Sequence, residues 1–202
     1  MHKLGIMGGT FDPIHYGHLV AAEMARGEFN LNKVLFIPTG TPPHKNRRDI
    51  SAAELRYEMV ERAIQDNLAF DSSAVEIERK GPSYTVETLR ILRRAWPDHE
   101  LYFITGTDAL REIFSWREAA EILTLTHFIG AARPGFEASD FLLKVQHEHP
   151  EAQGRIHHLE VPALAISSTD IRSRVRHGQP IRYLLPEPVR LFIQQNGLYA
   201  GN

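Results

Sequence analysis

Leu4-Gly5-Ile6-Met7-Gly8-Gly9-Thr10-Phe11-Asp12-Pro13-Ile14-His15-Tyr16-Gly17-His18 is the stretch whose reading decides the fold. Leu4 to Met7 is a short apolar run that stops at two glycines, the pattern of a buried strand. A helix is expected around Leu19 to Arg26. A strand, a glycine loop and a helix in that order offer free backbone N–H groups and the positive end of a helix dipole, which together hold anions. The glycines do not have the Gly-x-Gly-x-x-Gly spacing of a hydride-cofactor site, and no Gly-Lys-Ser/Thr follows as in a Walker loop. The cationic donors here are His15 and His18, three apart on one helical face, with Gly17 leaving room for a ligand. Imidazoles held against phosphate oxygens can stabilise charge that grows as a phosphate bridge breaks. Metal ligation by the pair is disfavoured, because no Glu stands beside the first histidine and no third ligand lies nearby. Gly8 and Gly9 on their own would also serve as packing devices.

Working outward, apolar runs alternate with amphipathic segments along the whole chain. Val34 to Ile37, Val75 to Ile77, Leu101 to Ile104, His127 to Ala131 and Ile156 to Val161 read as further strands. Ser51-Ala52-Ala53-Glu54 has capping-box spacing and opens a helix through Gln65. Thr85 to Trp96, Ser168 to His177 and Pro188 to Asn196 read as helices, the last two ending at Gly178 and Gly197. Repeated β-α units with short connections imply an α/β fold: a doubly wound, mainly parallel sheet with helices on both faces. Ligands of such sheets sit at the carboxyl ends of the strands. There is no internal repeat or linker, and residues 1–202 read as a single domain. Thr39 to Ile50 and Pro134 to Gln153 are the least regular stretches, the second expected to be peripheral.

Composition narrows the partners. At 202 residues, 43% hydrophobic and 24% charged, the chain is an ordinary globular one. A net charge of −2 leaves no footprint for duplex nucleic acid. No cysteine means no disulfide, no thiolate zinc site and no thiol nucleophile. The opening residues do not read as a signal peptide, and no apolar run approaches a membrane span. A cytoplasmic enzyme or binding protein is expected.

Ile166-Ser167-Ser168-Thr169-Asp170-Ile171-Arg172 follows the last strand and begins a helix that Ser167 or Ser168 is placed to cap. It reads either as a well-capped helix or as a second phosphate site with Arg172 one turn in. In Thr41-Pro42-Pro43-His44-Lys45 the prolines stiffen the backbone, so Lys45 is a cation at a fixed place or else a solvated basic loop. Gly81-Pro82-Ser83-Tyr84-Thr85 closes a turn and opens a helix. Gly106-Thr107-Asp108 sets a carboxylate at a strand's carboxyl end, where it can meet ribose hydroxyls or cap the next helix. Trp116, downstream of that helix, is of a type more often packed in a core than used as a ligand platform.

Taken together these motifs resemble the nucleotidylyltransferase superfamily, whose signature is His-x-Gly-His after a first strand, and within it the bacterial nicotinate-nucleotide adenylyltransferase family. Class I aminoacyl-tRNA synthetases share a related form but add a lysine-rich motif that this chain lacks. The resemblance runs from Leu4 to about Tyr199. It implies a Rossmann-like fold and transfer of the adenylyl group of ATP to nicotinate mononucleotide, with magnesium carried in by ATP. It further implies that His15, His18, Lys45 and Arg172 are the catalytic residues. Gly8, Gly9, Thr10, Phe11, Gly106, Asp108, Ser167 and Ser168 would bind ATP, and His44, Tyr84, Thr85, Trp116 and Arg133 the mononucleotide. No resident metal site is implied, and a homo-oligomer is left open. The rival readings are a sibling transferase acting on phosphopantetheine or a cytidylyl donor, and a non-catalytic nucleotide sensor, which would have little reason to keep both histidines.

Overall fold

The opening strand is longer than its apolar run: β1 spans His2–Gly9, with Leu4 to Met7 as its buried centre. A computed structural model describes residues 2–42, 50–132, 145 and 147–201. After β1 come α1 (Tyr16–Glu28), β2 (Lys33–Pro38), α2 (Ala53–Ile64), β3 (Phe70–Ser72), α3 (Val75–Glu78) and α4 (Thr85–Ala95). Then follow β4 (His99–Gly106), α5 (Thr107–Arg111), α6 (Ala119–Leu125), β5 (His127–Ala132), β6 (Ile156–Glu160), α7 (Ser168–Arg176) and α8 (Glu187–Gln195). Short 3-10 turns lie at Ile113–Ser115 and Pro150–Ala152. The strands form one six-stranded sheet of order β3-β2-β1-β4-β5-β6. The pairs β1·β4, β4·β5 and β5·β6 are all parallel, with Met7 opposite Ile104 and Ile104 opposite Ile129. The α/β parallel-sheet expectation holds, and the strand order reverses beside β1, which is where doubly wound folds bind nucleotides.

Two expectations fail for local reasons. Val75 to Ile77 is helix, not strand, and the third strand is Phe70–Ser72 instead. The alternation Val-Glu-Ile mimics a strand with Glu76 turned outward, yet Glu76 is buried, and the amides of Ile77 and Glu78 both return to the Ala74 carbonyl. The capping box also fails, since α2 starts at Ala53 with Ala52 as an unassisted N-cap. The Ser51 backbone is engaged elsewhere, its amide on Asp12 Oδ2 and its carbonyl on Arg56.

The residues group into two compact units. The first holds residues 1–8, 21–34 and 84–163, and buries Leu4, Ile6, Leu89, Leu101, Ile104, Phe128 and Ile129. The second holds residues 9–20, 35–83 and 164–202, and buries Phe11, Ile14, Phe36, Met59, Val60, Val189 and Ile193. Within the second unit α2 packs on α8, with the Arg62 guanidinium 4.8 Å from the Phe192 ring centre. Gly40 there lies so close to α3 that a Cβ would come 2.1 Å from the Glu76 carbonyl oxygen. No side chain fits at that position.

Candidate active site

The His-x-Gly-His loop and the Ser-Ser-Thr-x-Ile-Arg helix are clasped together in the second unit by bonds between residues 155 and 160 apart in sequence. Ser168 Oγ–H donates to the Pro13 carbonyl at 2.8 Å, and Arg172 Nη1–H donates to the Asp12 carbonyl at 2.8 Å. Ser167 is the N-cap of α7, accepting from the Asp170 amide at 3.1 Å. On the other side of the loop, Arg56 Nη1–H donates to the Thr10 carbonyl at 2.7 Å. The carbonyls of Thr10, Asp12 and Pro13 thus all face protein donors. In a planar trans peptide the N–H points opposite to the C=O, so the Phe11 amide points away from Arg56, and the Ile14 amide away from Ser168. Phe11 holds its turn at φ 50°, the left-handed region, with its buried ring edge-on to His18 at 5.1 Å.

His15 and His18 stack, with ring centres 3.7 Å apart. The His15 amide donates to His18 Nδ1 at 3.2 Å. An accepting Nδ1 leaves the neutral ring's proton on Nε2. Burial holds His15 down at about 4, and its Nδ1 is buried without a partner. Burial first, and the neighbouring His15 second, holds His18 well below the ordinary imidazole range. The sequence suggested two cations. In the absence of an anion the structure instead gives two neutral imidazoles. Gly17 also has a different use from the expected one. A Cβ on it would lie 3.0 Å from His15 Nδ1 and Cε1, so the space it leaves is filled by the His15 ring.

Asp12 is a residue that sequence reasoning missed. Buried at 3% exposure, it accepts from the Ser51 amide at 3.2 Å and from the Tyr199 hydroxyl at 2.6 Å. Burial, then the Asp12 charge, raises the Tyr199 phenol far above its ordinary range. Arg56 was missed as well, although a signal existed. Arg56, Met59, Val60, Ala63 and Ile64 are the buried residues of α2, so an arginine stands at the first position of the i, i+3, i+4, i+7, i+8 apolar stripe. No sequence signal marks Tyr199.

The remaining expected residues with described positions fall in the first unit, apart from Gly9 and Thr10 beside Phe11. Gly8 is the penultimate residue of β1, and Gly106 ends β4 and is the N-cap of α5. Asp108 is exposed in the first turn of α5 and is not its cap. Tyr84 is the N-cap of α4 with no side chain capping it, and Thr85 is the first helical residue. The Arg117 guanidinium lies 4.7 Å from the Tyr84 ring centre. Trp116 is half-buried, edge-on to Phe103 at 6.2 Å and to Phe128 at 6.1 Å. His44, Lys45 and Arg133 lie outside the described residues. Among the described residues, no group of three or more His, Asp or Glu side chains could hold a metal ion. No helix among them is long and apolar enough to cross a membrane.

Comparison with known proteins agrees with this geometry. The family described as cytidylyltransferase-like matches residues 6–174. The chain is 63% identical over 197 residues to a "Probable nicotinate-nucleotide adenylyltransferase" of Desulfitobacterium hafniense (strain DSM 10664 / DCB-2), covering 98% of this chain and 95% of that one. It is 52% identical to a protein of the same name from Moorella thermoacetica (strain ATCC 39073 / JCM 9320), covering 98% and 91%. In fold it is similar to the Plasmodium falciparum nicotinic acid mononucleotide adenylyltransferase complexed with NaAD, with a TM-score of 0.80 and 98% of each chain covered. That likeness, at 20% identity, concerns the fold alone. With the His-x-Gly-His loop clasped by its Ser-Ser-Thr-x-Ile-Arg helix, and more than half of the aligned residues shared with the Desulfitobacterium and Moorella relatives, the chain belongs to the nicotinate-nucleotide adenylyltransferase family.

Proposed function

We propose that the protein joins ATP and nicotinate mononucleotide to give nicotinic acid adenine dinucleotide and pyrophosphate. A phosphate oxygen of the mononucleotide attacks the α-phosphorus of ATP, forming the new P–O bond. The bond from that phosphorus to the bridging oxygen breaks, and the electron pair leaves with pyrophosphate. The acceptor phosphate is already ionised at neutral pH, so no activated nucleophile is needed. Positioning and charge stabilisation carry the rate. The observation that carries this reading is the clasp of Ser168 and Arg172 onto the loop of His15 and His18, which gathers two anion-binding elements at one place.

In this reading backbone amides of the loop after β1 and the Nε2–H of His18 meet the triphosphate. Arg172, which among the described residues engages two of its five donors, on Asp12 and Thr169, serves the β and γ phosphates, together with the amides at the start of α7. Ser168 contributes through its amide, its hydroxyl being engaged on Pro13. Gly106 and Asp108 hold the adenylate ribose, and Lys45, with His44, the acceptor phosphate. Tyr84, Thr85 and Trp116 take the nicotinate ring, and Arg133 also serves the mononucleotide. Magnesium arrives as MgATP, as part of the substrate. The enzyme works in the cytoplasm as one domain. The test is to incubate the protein with MgATP and nicotinate mononucleotide, with nicotinamide mononucleotide, and with phosphopantetheine. Pyrophosphate and the deamido dinucleotide, by mass, are expected with the first. Turnover only with phosphopantetheine, or with none of the three, overturns the reading.

A further inference from the structure

Among the described residues Arg56 is the largest fully buried side chain, at 1% exposure, and each hydrogen bond it donates to them goes to a backbone carbonyl. Nη1–H reaches Thr10 at 2.7 Å, Nη2–H reaches Thr39 at 2.6 Å and Gly40 at 3.3 Å, and Nε–H reaches Ser51 at 3.0 Å. Three segments far apart in sequence are thus held by one flat fork. They are the loop after β1, the loop after β2 and the residue leading into α2. A Leu or Met would complete the apolar stripe of α2 without the desolvation that a buried charge entails. What a guanidinium adds is geometry: a planar group with donors diverging at fixed angles, which an ammonium cannot imitate. Two further contacts brace the same place. The Thr39 amide donates to the Gly9 carbonyl at 2.8 Å, and the Ser51 amide to Asp12 at 3.2 Å.

Given the adenylyl transfer proposed above, the loop after β1 holds the donor's phosphates, and Thr39 and Gly40 lead toward the residues assigned to the acceptor's phosphate. We infer that Arg56 is a positioning residue of this reaction, fixing the donor loop and the acceptor loop at the separation that in-line attack requires. It touches neither substrate. Its effect is on the distance between two reactants that are each bound by other groups. Errors of about 1 Å in such a distance lower turnover by about 10²-fold.

The inference is tested with Arg56→Lys, which keeps the charge but loses the fork, and Arg56→Met, which fills the stripe without charge. For each, the folded fraction is measured by circular dichroism and kcat is expressed per folded molecule. The affinities for ATP alone and for nicotinate mononucleotide alone are measured by calorimetry. Both variants should lose about 10²-fold in kcat, while each separate affinity stays within roughly threefold, because the groups that bind each substrate are retained. If Arg56→Met does not fold, Arg56→Lys decides. Wild-type kcat per folded molecule in a folded variant overturns the positioning role, as does a loss of kcat matched by an equal loss of either separate affinity. An inactive wild-type protein is a different failure. It removes the proposed transfer itself, and the positioning role falls with it.

Discussion

His18 is oriented before any ligand arrives, because its Nδ1 accepts the amide of the residue that begins the same motif. A donor fixed in this way loses little freedom when charge develops beside it, which is the condition for strong transition-state stabilisation. His18→Ala should therefore lower kcat by about 10²-fold or more while leaving the circular dichroism spectrum unchanged. Near-normal turnover at saturating substrates would remove its catalytic role. His15 has a thermodynamic signature as well. Its pKa is lowered from 6.5 to about 4 by burial, so the unfolded chain binds the extra proton first. The stabilisation is complete above about pH 6.5 and is lost as pH falls toward 4. For this residue it amounts to on the order of 3 kcal/mol. His18, His127 and His157 are shifted in the same direction and add to the same trend. Thermal melts of the ligand-free protein from pH 7 to 4 should show Tm falling, and falling less steeply in His15→Gln. Equal slopes in the two proteins would contradict the burial argument. At this scale the sequence showed which residues mattered but not their state. The type and spacing of His15 and His18 are visible in it, whereas their neutrality depends on burial created by Phe11 and Gly17.

Among the elements, α4 opens on Tyr84 with no side chain closing its first turn. Free amides at a helix start favour a carboxylate, which accepts on both oxygens, over a carboxamide, which must present an NH₂ to donors. With the nicotinate ring assigned to Tyr84, Thr85 and Trp116, kcat/KM for nicotinate mononucleotide should exceed that for the amide by at least about tenfold. The comparison is made at one ATP concentration, and a ratio near unity would detach the ring's substituent from α4. The loop after β2 makes a separate point. Gly40→Ala forces a Cβ onto the backbone of α3, and the loop cannot move aside without disturbing the bonds of Thr39 and Gly40 to Arg56. Overpacking of this kind destabilises by roughly 1–3 kcal/mol. Urea titration should show at least that, with activity falling too. An unchanged midpoint would mean that α3 yields freely. Five of the six strands were legible from their Val, Ile, Leu and Phe, which form largely buried runs in four of them and stand at Ile156 and Leu159 in β6. The sixth was not, because Phe70-Asp71-Ser72 has one apolar residue in three. Val75-Glu76-Ile77 offered the better pattern beside it and is helix. Tertiary contact decided between them, as it decided against Ser51 as a cap.

On the scale of the molecule, the division into two compact units cuts through three elements. It passes between Gly8 and Gly9 in β1, between Val20 and Ala21 in α1, and between Val34 and Leu35 in β2. Neither unit keeps those strands and that helix whole, so neither is expected to melt alone. Differential scanning calorimetry of the free protein should give one transition, with calorimetric and van't Hoff enthalpies equal. Two resolved transitions would end the single-domain reading. The bond between the Tyr199 hydroxyl and Asp12, 187 residues apart, also bears on the order in which the chain is made. Tyr199 is synthesised 187 residues after Asp12. Until then that carboxylate has no phenol to accept from, and until residues 168–172 are made nothing of α7 holds the carbonyls beside it. The first motif to be made is among the last to be completed. A nascent chain stalled before residue 199 would carry every histidine of the site and still lack the contact that holds Asp12.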